Sequence, residues 1–186
     1  MAAGLSVRMG RQKLLLPFGE STIIGAVLEN LRKAGLVPVC AVFSRELDEA
    51  VKYRPDWLQA AINPAPERGQ SSSLAIGLSM LPGGEDFCIM LGDLPNARYE
   101  GMAGLYEKFL NRPRGSTVLA PAREGVFGHP MFYASVWKER FAGAEGDMGG
   151  KAVLKKYWNE ISTAPAEEGH FRDIDTAGDY EELKPV

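Results

Sequence analysis

The sequence predicts a layered α/β domain, and three observations carry that prediction. Short apolar runs bounded by glycine or proline alternate with segments whose apolar residues recur at helical spacing. At 186 residues and 45% hydrophobic, the chain is long enough to bury one substantial core. No internal repeat, low-complexity stretch or long linker divides it, so one domain over 1–186 is expected.

The elements follow in order. Ile23, Ile24, Val27, Leu28 and Leu31 share one face of a helix over 21–34, which Ser21 can cap and Gly35 ends. A buried strand is expected over 37–43, then a short polar helix over 45–53 and a weaker strand over 58–63, closed by Pro64. A second amphipathic helix spans 71–81, and the apolar run over 86–91 reads as an interior strand. A helix over 99–110 precedes a strand over 117–120. Beyond it the pattern predicts strands at 131–133, 161–163 and 171–174, helices over 135–141 and 150–157, and a last helix after Thr176.

Bulk properties narrow the function. A formal charge of −3 gives no general attraction to nucleic acid or to a membrane surface, so any anion site must be local. No apolar run is long enough to span a bilayer, and the first residues do not have the pattern of a signal peptide. Cys40 and Cys88 both sit inside apolar runs and read as free buried thiols in a reducing cytoplasm, not as a disulfide or a metal pair.

Four segments carry polar chemistry. Residues 1–13 form a glycine-punctuated loop in which Gly4 and Gly10 can turn main-chain N–H groups toward an anion. Arg8 and Lys13 supply positive charge there. The loop matches neither a P-loop nor a dinucleotide-binding glycine motif, and an ordinary surface turn is the alternative. Leu91-Gly92-Asp93-Leu94-Pro95 ends the strand at 86–91, where open α/β sheets bind ligands. Gly92 allows a ligand to approach, and Asp93 suits Mg²⁺ between triphosphate oxygens, unless it only caps a helix or turn. Near the C-terminus, strand alternation points Asp173 and Asp175 to one face, where both can look at one metal. The alternative is that Asp175-Thr176 merely caps the last helix. Gly69-Gln70-Ser71-Ser72-Ser73-Leu74 opens a helix with three hydroxyls and free backbone N–H groups, suited to a base, ribose or phosphate. With only two histidines, a zinc site built on imidazoles is not expected.

Ala2-Ala3-Gly4-Leu5-Ser6-x-Arg8-Met9-Gly10-x-x-Lys13 resembles the nucleotide-binding signature of the MobA-like nucleotidyltransferases, and most of all the molybdenum cofactor cytidylyltransferases. Those enzymes transfer CMP from CTP to the phosphate of a molybdopterin and release pyrophosphate. The resemblance runs along nearly the whole chain. It implies a three-layer α/β/α sandwich with a Rossmann-like, mostly parallel mixed sheet of the nucleotide-diphospho-sugar transferase type. It also implies Mg²⁺ as cofactor, CTP and a molybdopterin-type acceptor as substrates, and a molybdoenzyme as recipient of the product. Lys13, Arg8 and Asp93 take the catalytic positions. Ala2, Ala3, Gly4, Gly10, Gln70, Ser71 and Ser72 take the nucleotide site, with Gln70 to Ser72 at the cytosine. Gly128-His129-Pro130 resembles a motif near the acceptor, a structural histidine being the alternative. Gly146-Asp147-Met148-Gly149 resembles a loop of the family but is assigned no catalytic role. Asp93 and Asp175, with Asp173, are the metal ligands.

The pattern departs from the family at Leu94, where Gln is frequent, and at Ala177-Gly178, which replaces Pro-Glu. In the family a hydrophobic strand precedes the Ala-Ala-Gly loop, so the natural chain is expected to begin upstream of Met1. Two other functions fit the same residues: nucleotidyl transfer to another small phosphate such as a sugar phosphate, and non-catalytic binding of a nucleotide or cofactor during molybdoenzyme maturation.

Overall fold

A computed structural model describes residues 1–4, 12–52, 54–142 and 149–185. The strands are β1 (Pro17–Phe18), β2 (Ser21–Thr22), β3 (Val39–Phe43), β4 (Leu58–Ile62), β5 (Phe87–Ile89), β6 (Val118–Arg123), β7 (Val126–Phe127), β8 (Met131–Tyr133) and β9 (Ile161–Ala164). The helices are α1 (Ile23–Lys33), α2 (Arg45–Ala50), α3 (Gln70–Met80), α4 (Tyr99–Leu110), α5 (Trp137–Arg140), α6 (Gly149–Lys156) and α7 (Ala177–Leu183).

β3 and β4 pair in parallel, from Val39 opposite Leu58 to Phe43 opposite Ile62. β5 pairs antiparallel with β8, β8 antiparallel with β6, and β6 parallel with β9. Met1 and Ala2 link the two groups. The Ala2 amide donates to the Val42 carbonyl at 2.9 Å, while the Met1 amine donates to the Met90 carbonyl and the Gly92 amide to the Met1 carbonyl. That last pair of bonds is the parallel ladder pattern, straddling Leu91. The order is therefore β4-β3-(Met1–Ala2)-β5-β8-β6-β9, with β8 reversed and the short β7 antiparallel to the end of β6.

Alternation along the strands builds the three layers. Leu119 and Phe132 pack under α4 with Leu105 and Phe109. Their neighbours Val118, Ala120, Met131 and Tyr133 face the opposite way, onto Leu74 and Leu78 of α3 and Trp137 of α5. α1 joins the α4 side through Val27 and Leu31 against Met102. The expected mostly parallel α/β/α sandwich is the observed architecture.

Between the edges of β3 and β5, beneath Met1, lies a cavity of about 550 Å³. Its walls include Ala41 and Ile89 on the strands, Val27 and Leu31 of α1, and Leu78 of α3. Burial in this setting drops the pKa of the Met1 amine to about 6.

Several boundaries differ from the sequence reading for local reasons. Thr22, not Ser21, caps α1, its hydroxyl accepting from the Gly25 amide at 3.2 Å. Two small hairpins were not expected. β1 and β2 turn at Gly19, and β6 and β7 turn at Glu124 and Gly125, whose φ of 52° and 80° are those a two-residue hairpin requires. The expected strand at 171–174 is not a strand. A 3-10 turn at Glu168–His170 precedes it, and the Ile174 amide bonds to the Asp93 carbonyl outside any ladder. Among the described residues, no helix is long and apolar enough to cross a membrane.

Candidate active site

The carboxyl ends of the central strands open onto a cavity of about 410 Å³, the position an open α/β sheet offers to ligands. Ala2, Ala3 and Gly4 line it from the end of the first-residue segment. Lys13 enters from a 3-10 turn, Lys13–Leu15, whose placement rests on buried Gln12. The Gln12 amide donates to the Ser44 hydroxyl at 3.1 Å, and the same hydroxyl caps α2 by accepting from Leu47.

Lys13 Nζ lies 2.8 Å from Asp93 Oδ2 and 2.7 Å from Asp175 Oδ1. Burial works against its charge, but the two carboxylates outweigh burial and raise its pKa. Asp173 completes the group: one ligand atom from each of the three aspartates lies within 4.8 Å of the others. Burial, and then Asp93 and Asp175, push the Asp173 pKa up. Three carboxylates around one ammonium leave excess negative charge, and Asp93 Oδ1 is buried with no hydrogen-bond partner among the described residues. A hard divalent cation fits that donor set.

The tail keeps the expected alternation without a strand. Ile174 is fully buried and its amide donates to the Asp93 carbonyl at 3.0 Å, so Asp173 and Asp175 both reach the cavity. Thr176 does cap α7, forming a capping box with Asp179, and this leaves Asp175 engaged with Lys13.

Other expected site residues are placed differently. The cavity wall from α3 consists of Gly69, Gln70 and Ser73; Ser71 and Ser72 do not line it. The Ser72 hydroxyl is committed to the Gly69 carbonyl at 2.7 Å. Gly92 lines the cavity, yet the close approach it permits is that of the chain itself: a Cβ there would meet Ala2 Cβ at 3.0 Å and the Met1 carbonyl at 3.3 Å. Gly128, His129 and Pro130 do not line this cavity. Arg8, Gly10 and residues 146–148 lie outside the described residues.

Two buried groups were missed. His170 is fully buried; its Nδ1 bonds the His129 carbonyl at 2.7 Å while its backbone carbonyl accepts from the His129 amide. It thereby fastens the Gly128-His129-Pro130 segment to the turn before Asp173. Asn63, directly after β4, bonds two serines of α3. The Asn-Pro pair at 63–64 was the only local signal for it.

Residues 1–161 match the model of the MobA-like NTP transferase domain. The chain belongs to that family. This MobA-like transferase is 25% identical to the purine catabolism protein PucB of Bacillus subtilis, over 99% of this chain and 93% of PucB. Among solved structures it is similar to the Rv0371c homologue of Mycobacterium sp. strain JC1, with 28% identity, a TM-score of 0.82 and coverage of 98% and 91%. It is also similar to Rv0371c of Mycobacterium tuberculosis H37Rv, at 23% identity and a TM-score of 0.82, over 98% of this chain and 93% of that one. Rv0371c has also been solved as a complex with manganese.

Proposed function

We propose that this nucleotidyltransferase moves CMP from CTP to the phosphate of a molybdopterin and releases pyrophosphate. The observation that supports it most is the convergence of Lys13, Asp93 and Asp175 on the wall of a cavity that begins with Ala2-Ala3-Gly4. The Ala-Ala-Gly sequence is the cytidylyl-type form of the resembled signature. Ala3, 4% exposed and lining the cavity, narrows its floor in favour of a pyrimidine.

The chemistry asks for charge control more than for a base. An acceptor phosphate is already an anion at neutral pH, so attack on the α-phosphorus requires two anions to be aligned and a third to leave. Lys13 is the cation for the departing β- and γ-phosphates, its raised pKa keeping it charged throughout the neutral range. Asp93 and Asp175, with Asp173 beside them, would hold Mg²⁺, which supplies charge neutralisation at the α-phosphate. The manganese complex of Rv0371c supports a divalent cation of this kind. The buried Ile174 fixes the distance between the two ends of the carboxylate set, and Gln12 fixes the turn carrying Lys13.

Thermal unfolding with CTP, GTP, ATP and UTP, each with and without Mg²⁺, tests the nucleotide assignment. Ligand at ~100 times its Kd adds about 2.7 kcal/mol. CTP with Mg²⁺ is expected to give the largest shift, and Asp93→Asn to abolish the metal dependence. A larger response to GTP would overturn the cytidylyl assignment.

A further inference from the structure

Pro66, Gly69, Gln70 and Ser73 line the nucleotide cavity from the stretch that leads through the 3-10 turn Pro66–Arg68 into α3. Gly69 sits at the N-terminus of α3 with φ 85°, a conformation that glycine alone adopts readily, and no side chain caps the helix. Beside the stretch's own backbone bonds, Asn63 ties it to the end of β4. This residue is 3% exposed, and its amide donates to the Phe43 carbonyl at 2.9 Å, continuing the parallel ladder beyond β4. Its side chain makes three bonds to the wall. Oδ1 accepts from the Ala65 amide at 2.9 Å, and Nδ2 donates to Ser72 Oγ at 2.8 Å and to Ser73 Oγ at 3.0 Å. Both side-chain N–H groups and the carbonyl are thus used, as a buried amide requires.

The two serines then differ. Ser72 passes its proton to the Gly69 carbonyl and closes the loop on itself. Ser73 is 6% exposed and lines the cavity; it accepts from Asn63, and no group among the described residues takes its hydroxyl proton. Accepting from Asn63 leaves the Ser73 hydroxyl proton free for donation at a position that borders both the nucleotide cavity and the 550 Å³ cavity. A nucleobase edge with acceptors, such as O2 and N3 of cytosine, is the ligand chemistry a donor suits.

We infer that Asn63 is a positioning residue for base specificity, acting through Ser73 and touching no substrate atom itself. The inference rests on the nucleotide reading above. Asn63→Asp tests it, since it keeps the size and the acceptor for Ala65 but removes both donors. A carboxylate at 63 would draw the Ser73 proton toward itself and present a lone pair to the cavity. Calorimetric titrations with CTP, UTP and GTP in Mg²⁺ would be run on the wild type, Asn63→Asp, Ser73→Ala and the double variant, with Mg²⁺-pyrophosphate as probe of the phosphate end. Asn63→Ala, uncharged and also without either donor, carries the same prediction if the charged variant folds poorly.

The expected result is a loss of about tenfold in the preference for CTP, as a mispaired buried hydrogen bond gives, with pyrophosphate affinity held within about twofold. On the Ser73→Ala background the change at 63 should add nothing further. An unaltered preference in the Asn63 variants, an equal loss for pyrophosphate, or full additivity in the double variant would overturn the inference. Failure of the wild type to bind any of the three nucleotides would instead overturn the nucleotide reading on which it stands.

Discussion

Lys13 lies within hydrogen-bonding distance of two carboxylates that would otherwise repel each other, and a third stands close by. Its ammonium occupies the ground a divalent cation would contest. Replacing it by alanine should therefore separate two properties. Turnover is expected to fall by at least ~10²-fold, the scale of one lost transition-state donor. Mn²⁺ titrated without nucleotide should bind more tightly, because no ammonium competes. Unchanged turnover at saturating nucleotide would remove Lys13 from the leaving group. Burial holds the pKa of both His129 and His170 below the ordinary 6.5. Below pH 6.5 the unfolded chain then binds protons that the folded one refuses, so stability falls as pH falls, by at most about 1.4 kcal/mol per pH unit for each histidine. Urea midpoints at pH 7.5 and 5.5 check this, and the drop should be smaller in His170→Asn. Asp93 and Asp175 were legible because strand-end position and alternation are local properties. Asn63 and His170 were not, since their side-chain hydrogen bonds reach up to 10 and 41 residues away.

At the scale of elements, amphipathic spacing located α1 and α3, while turn geometry was harder to read. The β6–β7 hairpin depends on Glu124 holding a positive φ, which no hydrophobic pattern announces. The expected strand at 171–174 had the right alternation and lacked a neighbour to pair with. The edges of β3 and β5 give an element-level prediction. Val39, Ala41 and Phe43 point their main-chain groups toward β4, whereas Cys40 and Val42 point theirs toward Met1–Ala2 and the 550 Å³ cavity. Hydrogen exchange should be faster at the Cys40 and Val42 amides than at the other three. Equal protection across all five would show that the two edges are sealed in solution.

Over the whole molecule, a net charge of −3 coexists with a site in which Lys13 stands among three carboxylates. Topology builds that site, bringing the Lys13 turn, the segment after β5 and the C-terminal tail together across 80 and 162 residues of sequence. The layered class and the end of the sheet that carries the site followed from element order alone. That Ser73 lines the cavity while Ser71 and Ser72 do not was not legible, because the phase of α3 depends on bonds such as those from Asn63 on a different element. The reaction proposed for this site is metal-dependent CMP transfer to a phosphorylated pterin. Its most direct test is pyrophosphate release in the presence of CTP, Mg²⁺ and molybdopterin. Release that requires all three and vanishes in Asp93→Asn is the predicted result. No release with molybdopterin, or equal release with GTP in place of CTP, would contradict the account.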